Sequence, residues 1–496
     1  MKPLIFALTC LACVAASAAD WPQVGGSPQH TNFTPDSPAP PYQVAWVAEF
    51  SPELIYSATP VVAQGRIFQT TLNGHFYALD AATGERLWWF RAGDCVWSGA
   101  AAGTDEHGAK GLVFVASWEG LIYAVDAQSG REAWRFDSRE NISAAPCVAQ
   151  GMLFIATRKG RMLALTTEGK LQWETPLSWH VYSTAAYEQG RVFVLTEDMF
   201  LHCLDAKTGK PLWTSEKLNG MLMREFYPVV HKGKVMVTVT PAEYREAGGP
   251  WPFLGDSPDA KFKAIIDKYS RPVDPRKSAA SDERRCLIRP GDVPPELDEA
   301  QQQLVTFYQQ NPRFQTFYVL DQKDGKQAYP AVHHYSASGL ENVAMPPAVC
   351  ADGTLAMNCM FGGSRLARFD IDKNRWVDFT FELSGSASDN SEFVAVGGSR
   401  LFSKNYIRGG HGQMAGFILD LASREVFSLR SVPLKQPNRV SCLPARGPLS
   451  APLDAGRLGD AGWGIGGTSP PVICGNRLFW IKGIQQLIAY EGTVKR

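Results

Sequence analysis

The chain has 496 residues, of which 45% are hydrophobic, so it can bury a large core and is not a disordered tail. Lysine plus arginine and aspartate plus glutamate each total 49, and this balance excludes a net field that would attract nucleic acid or an anionic membrane surface. We therefore expect neither of them as a partner.

The first 19 residues have the pattern of a secretory leader. Lys2 precedes an apolar run over 4–16, and small residues over 17–19 precede Asp20. The run is too short to span a bilayer, and neither cysteine within it follows the residues of a bacterial lipoprotein site. The sequence therefore predicts a cleaved signal peptide over 1–19, no membrane span, and a periplasmic or secreted mature protein.

One unit recurs in the first half of the chain, in the segments YALDAATGERLWW, YAVDAQSGREAW, LALTTEGKLQW and HCLDAKTGKPLW. Each copy is typical of a strand, a glycine turn and a second strand that ends on an aromatic residue. From Ser57 onward, four short strands with tight glycine turns form one complete unit, which predicts a propeller blade. Three further blades follow, over Ser98–Phe136, Ser143–Glu174 and Ser183–Glu216.

A fifth blade begins at EFYPVV and VMVTVT and resumes at FYVLDQKDGKQAY, after an insertion over about 241–312. The insertion predicts two helices, one that starts near Ser257–Pro258 and one through PPELDEAQQQLVTFYQQ. Its place between the second and third strands suggests either a lid over the central channel or a segment packed against the rim.

The last blades have weaker repeats. Blade six spans MPPAVC to ARFDIDKNRW, blade seven spans EFVAV to FILDLASREVFSL, and an eighth begins at TSPPVICGNRLFW and ends at LIAYEG without a fourth strand. The unaccompanied strand Tyr42–Phe50 can complete it, which closes the ring and leaves no exposed sheet edge. We predict an all-β, eight-bladed propeller that forms a single domain over 20–496 and is a monomer.

The phrase A-x-D-x-x-T/S-G-x-x-x-W is intact over 78–88 and 124–134. It resembles the tryptophan-docking motif of the quinoprotein-like eight-bladed propellers, and the opening WPQVGGSPQHTNF is similar to the start of exported members. The resemblance implies that one aromatic side chain per blade locks neighbouring blades together. The positions that match are Trp88, Trp134, Trp173, Trp213 and Tyr329.

The connections between blades and the turns between second and third strands lie on one face, which also carries the insertion and a long loop over 430–466. Aromatic, charged and amide residues lead into the innermost strands there, and they suit a small anionic or sugar-like ligand. The alternative is that they only hydrate the channel mouth and link blades. The predicted ligand-binding residues are Tyr56, Trp97, Arg139, Asn141, His180, Tyr182, Arg224, Glu225, Glu341, Asn342, Asn390 and Glu392.

Two functions follow from the resemblance. Quinoprotein dehydrogenases hold pyrroloquinoline quinone and calcium in the channel, and Glu341–Asn342 and Asp389–Asn390 have suitable ligand types. However, the chain has no adjacent cysteines, no C-x-x-C-H haem motif, no H-E-x-x-H or G-x-S-x-G motif and no P-loop. We therefore expect no catalytic residue, metal site or cofactor, and a quinone- and calcium-dependent alcohol or sugar dehydrogenase is the alternative.

The favoured function is that of a ligand- or protein-binding scaffold in the cell envelope. The non-catalytic branch of the resemblance is similar to the outer-membrane assembly factor BamB, which is a smaller lipoprotein that serves as a platform for proteins. Trp118–Glu119, Arg158–Lys159 and the methionine-containing segment 221–223 lie on the predicted binding face and supply contacts for a partner. The partner is an envelope protein or a small molecule.

The cysteines and the one adjacent histidine pair have simpler expected roles. Cys147, Cys350 and Cys474 lie on apolar strands and are expected to be buried free thiols. Cys286 and Cys442, in predicted loops, are available for a disulfide. His333–His334 would point to opposite faces of a strand, so the pair does not suit one metal ion.

Overall fold

The computed structural model describes most of the chain after the predicted leader. The described residues are 19–50, 54, 58–93, 95–103, 111–220, 226–239, 264–265, 268–269, 271–272, 286–287, 294–330, 346–360, 364–382, 394–403, 417–423, 425–429, 432, 438–441, 470–482 and 486–494.

Eight antiparallel sheets form the blades of a propeller, so the predicted fold is confirmed. The chain begins with a 3-10 turn (Val24–Gly26) and the strands β1 (Phe33–Thr34) and β2 (Pro38–Glu49). Blade 1 contains β3 (Val61–Ala63), β4 (Arg66–Thr70), β5 (His75–Asp80) and β6 (Arg86–Arg91). Blade 2 contains β7 (Ala101–Ala102), β8 (Leu112–Ala116), β9 (Leu121–Asp126) and β10 (Glu132–Asp137).

The next three blades repeat this order of strands from the channel outward. Blade 3 contains β11 (Cys147–Ala149), β12 (Met152–Ala156), β13 (Arg161–Thr166) and β14 (Leu171–Pro176). Blade 4 contains β15 (Ala186–Glu188), β16 (Arg191–Thr196), β17 (Phe200–Asp205) and β18 (Pro211–Thr214). Blade 5 begins with β19 (Val229–His231) and β20 (Lys234–Thr238) and is completed by β23 (Phe317–Asp321) and β24 (Gln327–Pro330). The insertion between β20 and β23 contains β21 (Arg271–Pro272), β22 (Cys286–Leu287), α1 (Pro295–Gln310) and a 3-10 turn (Pro312–Phe314).

The last three blades include the ring closure. Blade 6 contains β25 (Ala348–Val349), β26 (Leu355–Met360), β27 (Ser364–Asp370) and β28 (Arg375–Glu382). Blade 7 contains β29 (Val394–Gly397), β30 (Arg400–Ser403), β31 (Phe417–Asp420) and β32 (Val426–Ser428), with β1 parallel to β29. Blade 8 is built from β33 (Asn438–Ser441), β34 (Val472–Cys474), β35 (Arg477–Lys482), β36 (Gln486–Val494) and β2.

The N-terminal strand completes the last blade, as predicted. β2 pairs antiparallel with β36, with Trp46 opposite Ala489, and β33 adds a parallel outer strand. The innermost strands β34 and β3 are in contact, so blades 8 and 1 are neighbours in the ring. Because β2 fills the position of a missing fourth strand, the first and last parts of the chain hold the ring together.

In each of blades 1 to 5, one aromatic side chain docks on the next blade. The indole nitrogens of Trp88, Trp134, Trp173 and Trp213 donate hydrogen bonds of 2.9–3.2 Å to backbone carbonyls of the following blade. The Tyr329 hydroxyl donates to the Ile371 carbonyl in the same way. These contacts join blades 1 through 6 in series.

Trp46 makes the corresponding contact between blades 8 and 1, although the repeat phrase does not mark it. Its indole is fully buried and donates to the Ala81 carbonyl at 3.2 Å. A Cβ atom on Gly84 would lie 2.6 Å from this ring, and Gly84 has a φ of 76°. In each of blades 1 to 5, the turn glycine packs directly against the indole that docks from the preceding blade.

A β-bulge turns each docking residue toward the next blade. In blade 1 the pairing shifts between Ala78 and Leu79, which leaves Leu87 of the outer strand unpaired and 45% exposed. The same shift occurs before Leu204 in blade 4. Since a bulge adds one residue and local twist to a strand, Trp88 leaves the plane of its own sheet.

The segment 19–36, here called the strap, runs around the channel and contacts all eight blades. Its partners each lie within two residues of the turn between the first and second strands, so the strap occupies that end of the channel. The contacts are Trp21 with Val62, Pro22 with Ala102, Gln23 with Val148, Pro28 with Tyr187, Gln29 with Val230, Thr31 with Val349, Asn32 with Val396, and Asp36 with Gly475. We call this side the turn face and the opposite side the loop face.

The described helix of the insertion packs on the outside of the ring. Leu297, Leu304 and Tyr308 of α1 are buried, and the Gln301 side-chain oxygen accepts a 2.8 Å hydrogen bond from the Trp376 backbone nitrogen in blade 6. Trp376 is fully buried. This helix therefore packs against the rim, which agrees with the second of the two positions expected for the insertion.

Other parts of the insertion are described only in short pieces. Residues 264–265 and 268–269 are helical, whereas Ser257 lies outside the described residues. Cys286 was expected in a loop but lies in β22, because 286–287 pairs with 271–272 as a short hairpin. Its possible partner Cys442 lies outside the described residues.

The thiols that the structure describes are free. Cys147 and Cys350 are buried, as expected, while Cys474 is partly exposed. Burial raises the pKa of the Cys147 thiol to about 12. Among the described residues, no helix has the length and apolar character needed to cross a membrane.

Candidate functional site

On the loop face, the turn between the second and third strands of a blade is tied to the connection that leads into a blade. The Trp118 nitrogen donates to the Cys95 carbonyl at 2.8 Å, and the Arg158 nitrogen donates to the Asn141 carbonyl at 2.7 Å. The Glu197 nitrogen repeats the contact with His180 at 2.9 Å. Side chains from turns and connections are therefore brought side by side.

Four of these side chains form a continuous stack, which we call the ladder: Trp97, Trp118, Arg158 and Tyr182. The rings of Trp97 and Trp118 have centroids 5.7 Å apart at an angle of 51°. The Arg158 guanidinium lies 4.7 Å from the Trp118 ring and 4.2 Å from the Tyr182 ring. An arginine between two aromatic faces is held by cation–π attraction, so the ladder links the loop-face segments of blades 2 to 4.

Hydrogen bonds fix the arginine and the backbone around it. Arg158 Nη2 donates to the Tyr182 hydroxyl at 2.5 Å, and Asn141 Nδ2 donates to the Trp118 carbonyl at 2.8 Å. His180 Nδ1 lies 2.7 Å from the Arg158 carbonyl. Since a carbonyl only accepts, Nδ1 must carry the proton, which leaves Nε2 of neutral His180 as an acceptor.

Next to Arg158, an ion-pair network holds the 157–160 turn of blade 3 in place. Glu140 accepts from the Thr157 hydroxyl at 2.6 Å and pairs with Arg161 at 3.1 Å. Burial raises the pKa of the Glu140 carboxyl. The hydrogen bonds from Thr157 and Arg161 nevertheless hold this pKa below its ordinary value. Arg161 also pairs with Glu174 at 2.7 Å. The network ties the 157–160 turn to its neighbouring connection.

The ladder is accessible at its edge. Its four members are half-buried, and Trp179, in the same connection as His180, is 55% exposed. The rings of Trp179 and His180 have centroids 5.2 Å apart. Large aromatic side chains and arginines are enriched in protein contact surfaces, and this connection carries the exposed Trp179 close in sequence to the ladder residue Tyr182.

The structure brings together four predicted residues, Trp97, Asn141, His180 and Tyr182. Arg139 lies apart, at an exposed position with a φ of 61°, and no contact among the described residues joins its side chain to the ladder. Seven others lie outside the described residues: Tyr56, Arg224, Glu225, Glu341, Asn342, Asn390 and Glu392.

Sequence reasoning named Trp118 and Arg158 only as separate partner contacts and omitted Trp179. The positions of these residues within the repeat could have predicted the stack. Trp118 and Arg158 occupy equivalent places in consecutive blades, immediately after Ser117 and Thr157. Because neighbouring blades place equivalent turn residues side by side, an aromatic followed one blade later by a cation predicts stacking.

The described part of the site offers stacked rings, a guanidinium and hydrogen-bonding groups. Burial, with the Glu119 charge, raises the pKa of the Cys95 thiol, so it does not supply a thiolate at neutral pH. Within the described ranges, no three His, Cys, Asp or Glu side chains are grouped closely enough to hold a metal ion. The 221–223 segment, His333–His334 and Asp389–Asn390 lie outside those ranges.

The fold and its interblade contacts define the class of protein, an eight-bladed β-propeller. Three stretches of the chain, 42–98, 91–180 and 168–246, match the family model of the outer membrane protein assembly factor BamB. Together they cover blades 1 to 4 and the start of blade 5. Comparison with curated protein sequences gave no match.

Solved structures with similar folds have very different sequences. The computationally designed Ika8 protein is 10% identical, with a TM-score of 0.53, over 90% of this chain and 99% of its own. A quinohemoprotein alcohol dehydrogenase, ADHIIG from Pseudomonas putida HK5, is 13% identical, with a TM-score of 0.50, over 96% of this chain and 81% of its own. BamB from Moraxella catarrhalis is 10% identical, with a TM-score of 0.48, over 91% and 99%. At such identities the first two likenesses show the fold alone.

Proposed function

We propose that this chain is an exported scaffold of the cell envelope and that a partner protein docks on the ladder at the loop face. The observation that carries the proposal is the stack of Trp97, Trp118, Arg158 and Tyr182, with the exposed Trp179 at its side. The match of residues 42–246 to the BamB family model supports a protein-binding role.

The ladder has the energetics of a binding hot spot. Aromatic side chains and arginines contribute most of the affinity in protein interfaces, because they bury a large area and lose little conformational freedom. Arg158 is already held between Trp118 and Tyr182, so little side-chain entropy remains to be lost on binding.

The chemistry of the ladder defines the partner segment. The Arg158 guanidinium gives one hydrogen bond to Tyr182, and its other N–H groups have no hydrogen-bond partner among the described residues. The neighbouring Lys159 is exposed. A segment with a carboxylate next to an apolar or aromatic side chain would pair with Arg158 and cover Trp179.

Location in the envelope rests on the predicted leader over 1–19 and on the family match. Expression with the complete leader in a Gram-negative host, followed by separation of periplasm and cytoplasm, tests it. We expect the folded protein in the periplasmic fraction, and retention in the cytoplasm would contradict export.

A photo-crosslinking amino acid at position 179 tests the docking surface. The matched control is the same amino acid at position 131, where Arg131 is exposed on the turn face of blade 2. We expect one specific protein adduct from position 179 and none from 131. Equal adducts from both positions would mean that the loop face is not special.

The purified partner then allows a graded test. Arg158→Ala should weaken binding at least tenfold, and Arg158→Lys should fall between, since lysine keeps the charge but loses the planar stacking group. Arg131→Ala should bind like the unaltered protein. Unchanged affinity in Arg158→Ala and Trp118→Ala together would contradict the proposed site.

The alternative is a pyrroloquinoline-quinone-dependent dehydrogenase. The described part of the site offers flat rings for stacking, but not the group of oxygen ligands that calcium requires. Mixing the protein with the quinone and calcium should give no shift in quinone absorbance and no alcohol- or sugar-dependent dye reduction. Turnover in that assay would replace the scaffold proposal with the enzyme.

A further inference from the structure

The two ends of the strap meet. The Ala19 nitrogen lies 2.8 Å from Asp36 Oδ2, and the same oxygen accepts a 2.5 Å hydrogen bond from the Gly475 nitrogen in blade 8. The strap starts at blade 1, where Trp21 pairs with Val62, and passes every blade before it reaches Asp36. It is therefore a ring of its own, and the Ala19–Asp36 contact closes it.

The chain is part of the fold from this contact onward. Asp20 Oδ1 accepts a hydrogen bond from the Gln64 nitrogen at 3.2 Å. Trp21 is fully buried, and both its backbone nitrogen and its carbonyl are hydrogen bonded to Val62, at 2.8 and 2.9 Å. A cut after Asp20 would remove a residue that the structure uses, so the fold sets a limit on where a leader can be removed.

The sequence before this contact suits a leader peptidase. Such enzymes recognise small residues one and three positions before the cut, as in A-x-A. Ala16-Ser17-Ala18 has this pattern and ends immediately before Ala19. The predicted leader over 1–19 would instead place the new terminus on Asp20.

We propose that Ala18–Ala19 is the processing site and that the new α-ammonium group of Ala19 forms an ion pair with Asp36 that locks the strap. This inference rests on the proposed export. A leader peptidase hydrolyses the peptide bond with one water, which leaves a carboxylate on Ala18 and, at neutral pH, an ammonium on Ala19. A neutral amide donor then becomes a charged group with three donors, so its hydrogen bond to the carboxylate is stronger.

The mass of the mature protein tests the position of the cut. We expect the form exported from a host that removes leaders to begin at Ala19. A mature form that begins at Asp20 or later would overturn the assigned site. A full-length protein in the periplasm would also overturn it, whereas retention in the cytoplasm would contradict the export on which it rests.

The pKa of the α-amino group tests the ion pair. An ordinary α-amino group has a pKa of about 7.7–8.0, and a carboxylate at hydrogen-bond distance raises it. Competitive acetylation across a pH series, with the N-terminal peptide quantified by mass spectrometry, measures this pKa in the folded protein. We expect a rise of about one unit in the protein that begins at Ala19.

Two variants and one control separate the ion pair from general charge effects. Asp36→Asn should return the α-amino pKa to its ordinary range, while Asp324→Asn, which removes a carboxylate from an exposed turn of blade 5, should leave it raised. If Asp36→Asn fails to fold, a protein with two extra residues before Ala19 gives the same information, because its amine is displaced from Asp36. An ordinary pKa in the processed protein would overturn the ion pair.

These outcomes are independent of the docking surface. The ladder lies on the loop face, and the strap closes on the turn face. Loss of partner binding in Arg158→Ala with an ordinary α-amino pKa would support the proposed function and reject the locked strap. The reverse result would reject only the docking surface.

Discussion

The two faces of the ring differ in what occupies them. On the turn face, the strap fills the end of the channel with its own side chains, and Trp21, Gln23 and His30 are fully buried. On the loop face, the ladder is only half-buried and Trp179 is 55% exposed. The chain therefore uses similar polar and aromatic residues at its two ends, which are buried within the fold on the turn face and partly exposed on the loop face, where we propose that a partner docks.

Breaking a contact between blades should have the largest effect on stability. Trp134→Ala removes an indole that donates to the Thr167 carbonyl at 2.9 Å and rests on Gly169, so we expect a loss of about 3–5 kcal/mol. Trp179→Ala on the loop face should cost less than about 0.5 kcal/mol. Chemical denaturation of both variants measures the contrast, and equal losses would show that Trp134 does not lock the blades.

Acid should act mainly through the turn face. Burial lowers the pKa of His30 to about 4, with the Pro228 carbonyl acting in the opposite direction. The unfolded chain binds this proton near pH 6.5, so the stability that neutral His30 contributes is present above that pH and is lost as the pH falls toward 4. We expect His30 to account for about 3 kcal/mol of the loss.

The variant His30→Asn measures that share. Denaturation of the two proteins between pH 7 and 4 should show a shallower acid limb for the variant, although it is less stable at pH 7. Substitution of the exposed His180 is the control and should leave the limb unchanged. If the free energy of unfolding fell equally between pH 7 and 4 in His30→Asn and in the unaltered protein, the acid sensitivity would come from groups other than His30.

A smaller effect is expected from the turn glycines. Gly130 has a φ of 72°, and a Cβ there would lie 2.6 Å from the Trp88 indole. Gly130→Ala should therefore cost about 2 kcal/mol, from backbone strain and a displaced ring. Gly151→Ala is the control, since it has a similar φ of 73° but no atom within 4 Å of an added Cβ. Both variants carry the backbone strain, so the difference between their melting temperatures measures the contribution of packing against Trp88.

The smallest effect on stability is expected at Arg158. Because the ladder lies at the surface, Arg158→Ala should change the free energy of unfolding by less than about 1 kcal/mol. Its partner affinity should nevertheless fall at least tenfold, as proposed above. A variant that loses stability and affinity in parallel would place Arg158 with the structural residues of the turn face.

The sequence predicts the eight-bladed ring well, because the motifs that indicate a blade are short and recur along the chain. Trp88 and Trp134 lie ten residues after an alanine in the same phrase, and Tyr42–Phe50 is conspicuous as a strand without neighbours. Closure of blade 8 follows from those observations by elimination, and the structure confirms it.

The strap and the ladder could not be predicted in the same way. Gln23 contacts Val148 and His30 contacts Pro228, which lie 125 and 198 residues away, so no local period marks either contact. Trp46 docks on blade 1 without the repeat phrase, because β2 belongs to blade 8 only after closure. The ladder depends on side chains from three blades, and its geometry appears only once they are neighbours.

The position of β2 has a consequence for how the molecule is made. The ribosome delivers β2 before blades 1 to 7 and its partner β36 after them, so blade 8 cannot close until β36 has been made. Until then, both strands expose unpaired backbone groups to which other chains could bind. A chain cut short before β36 would keep that open edge permanently, so an intact β36 is a condition of the closed ring.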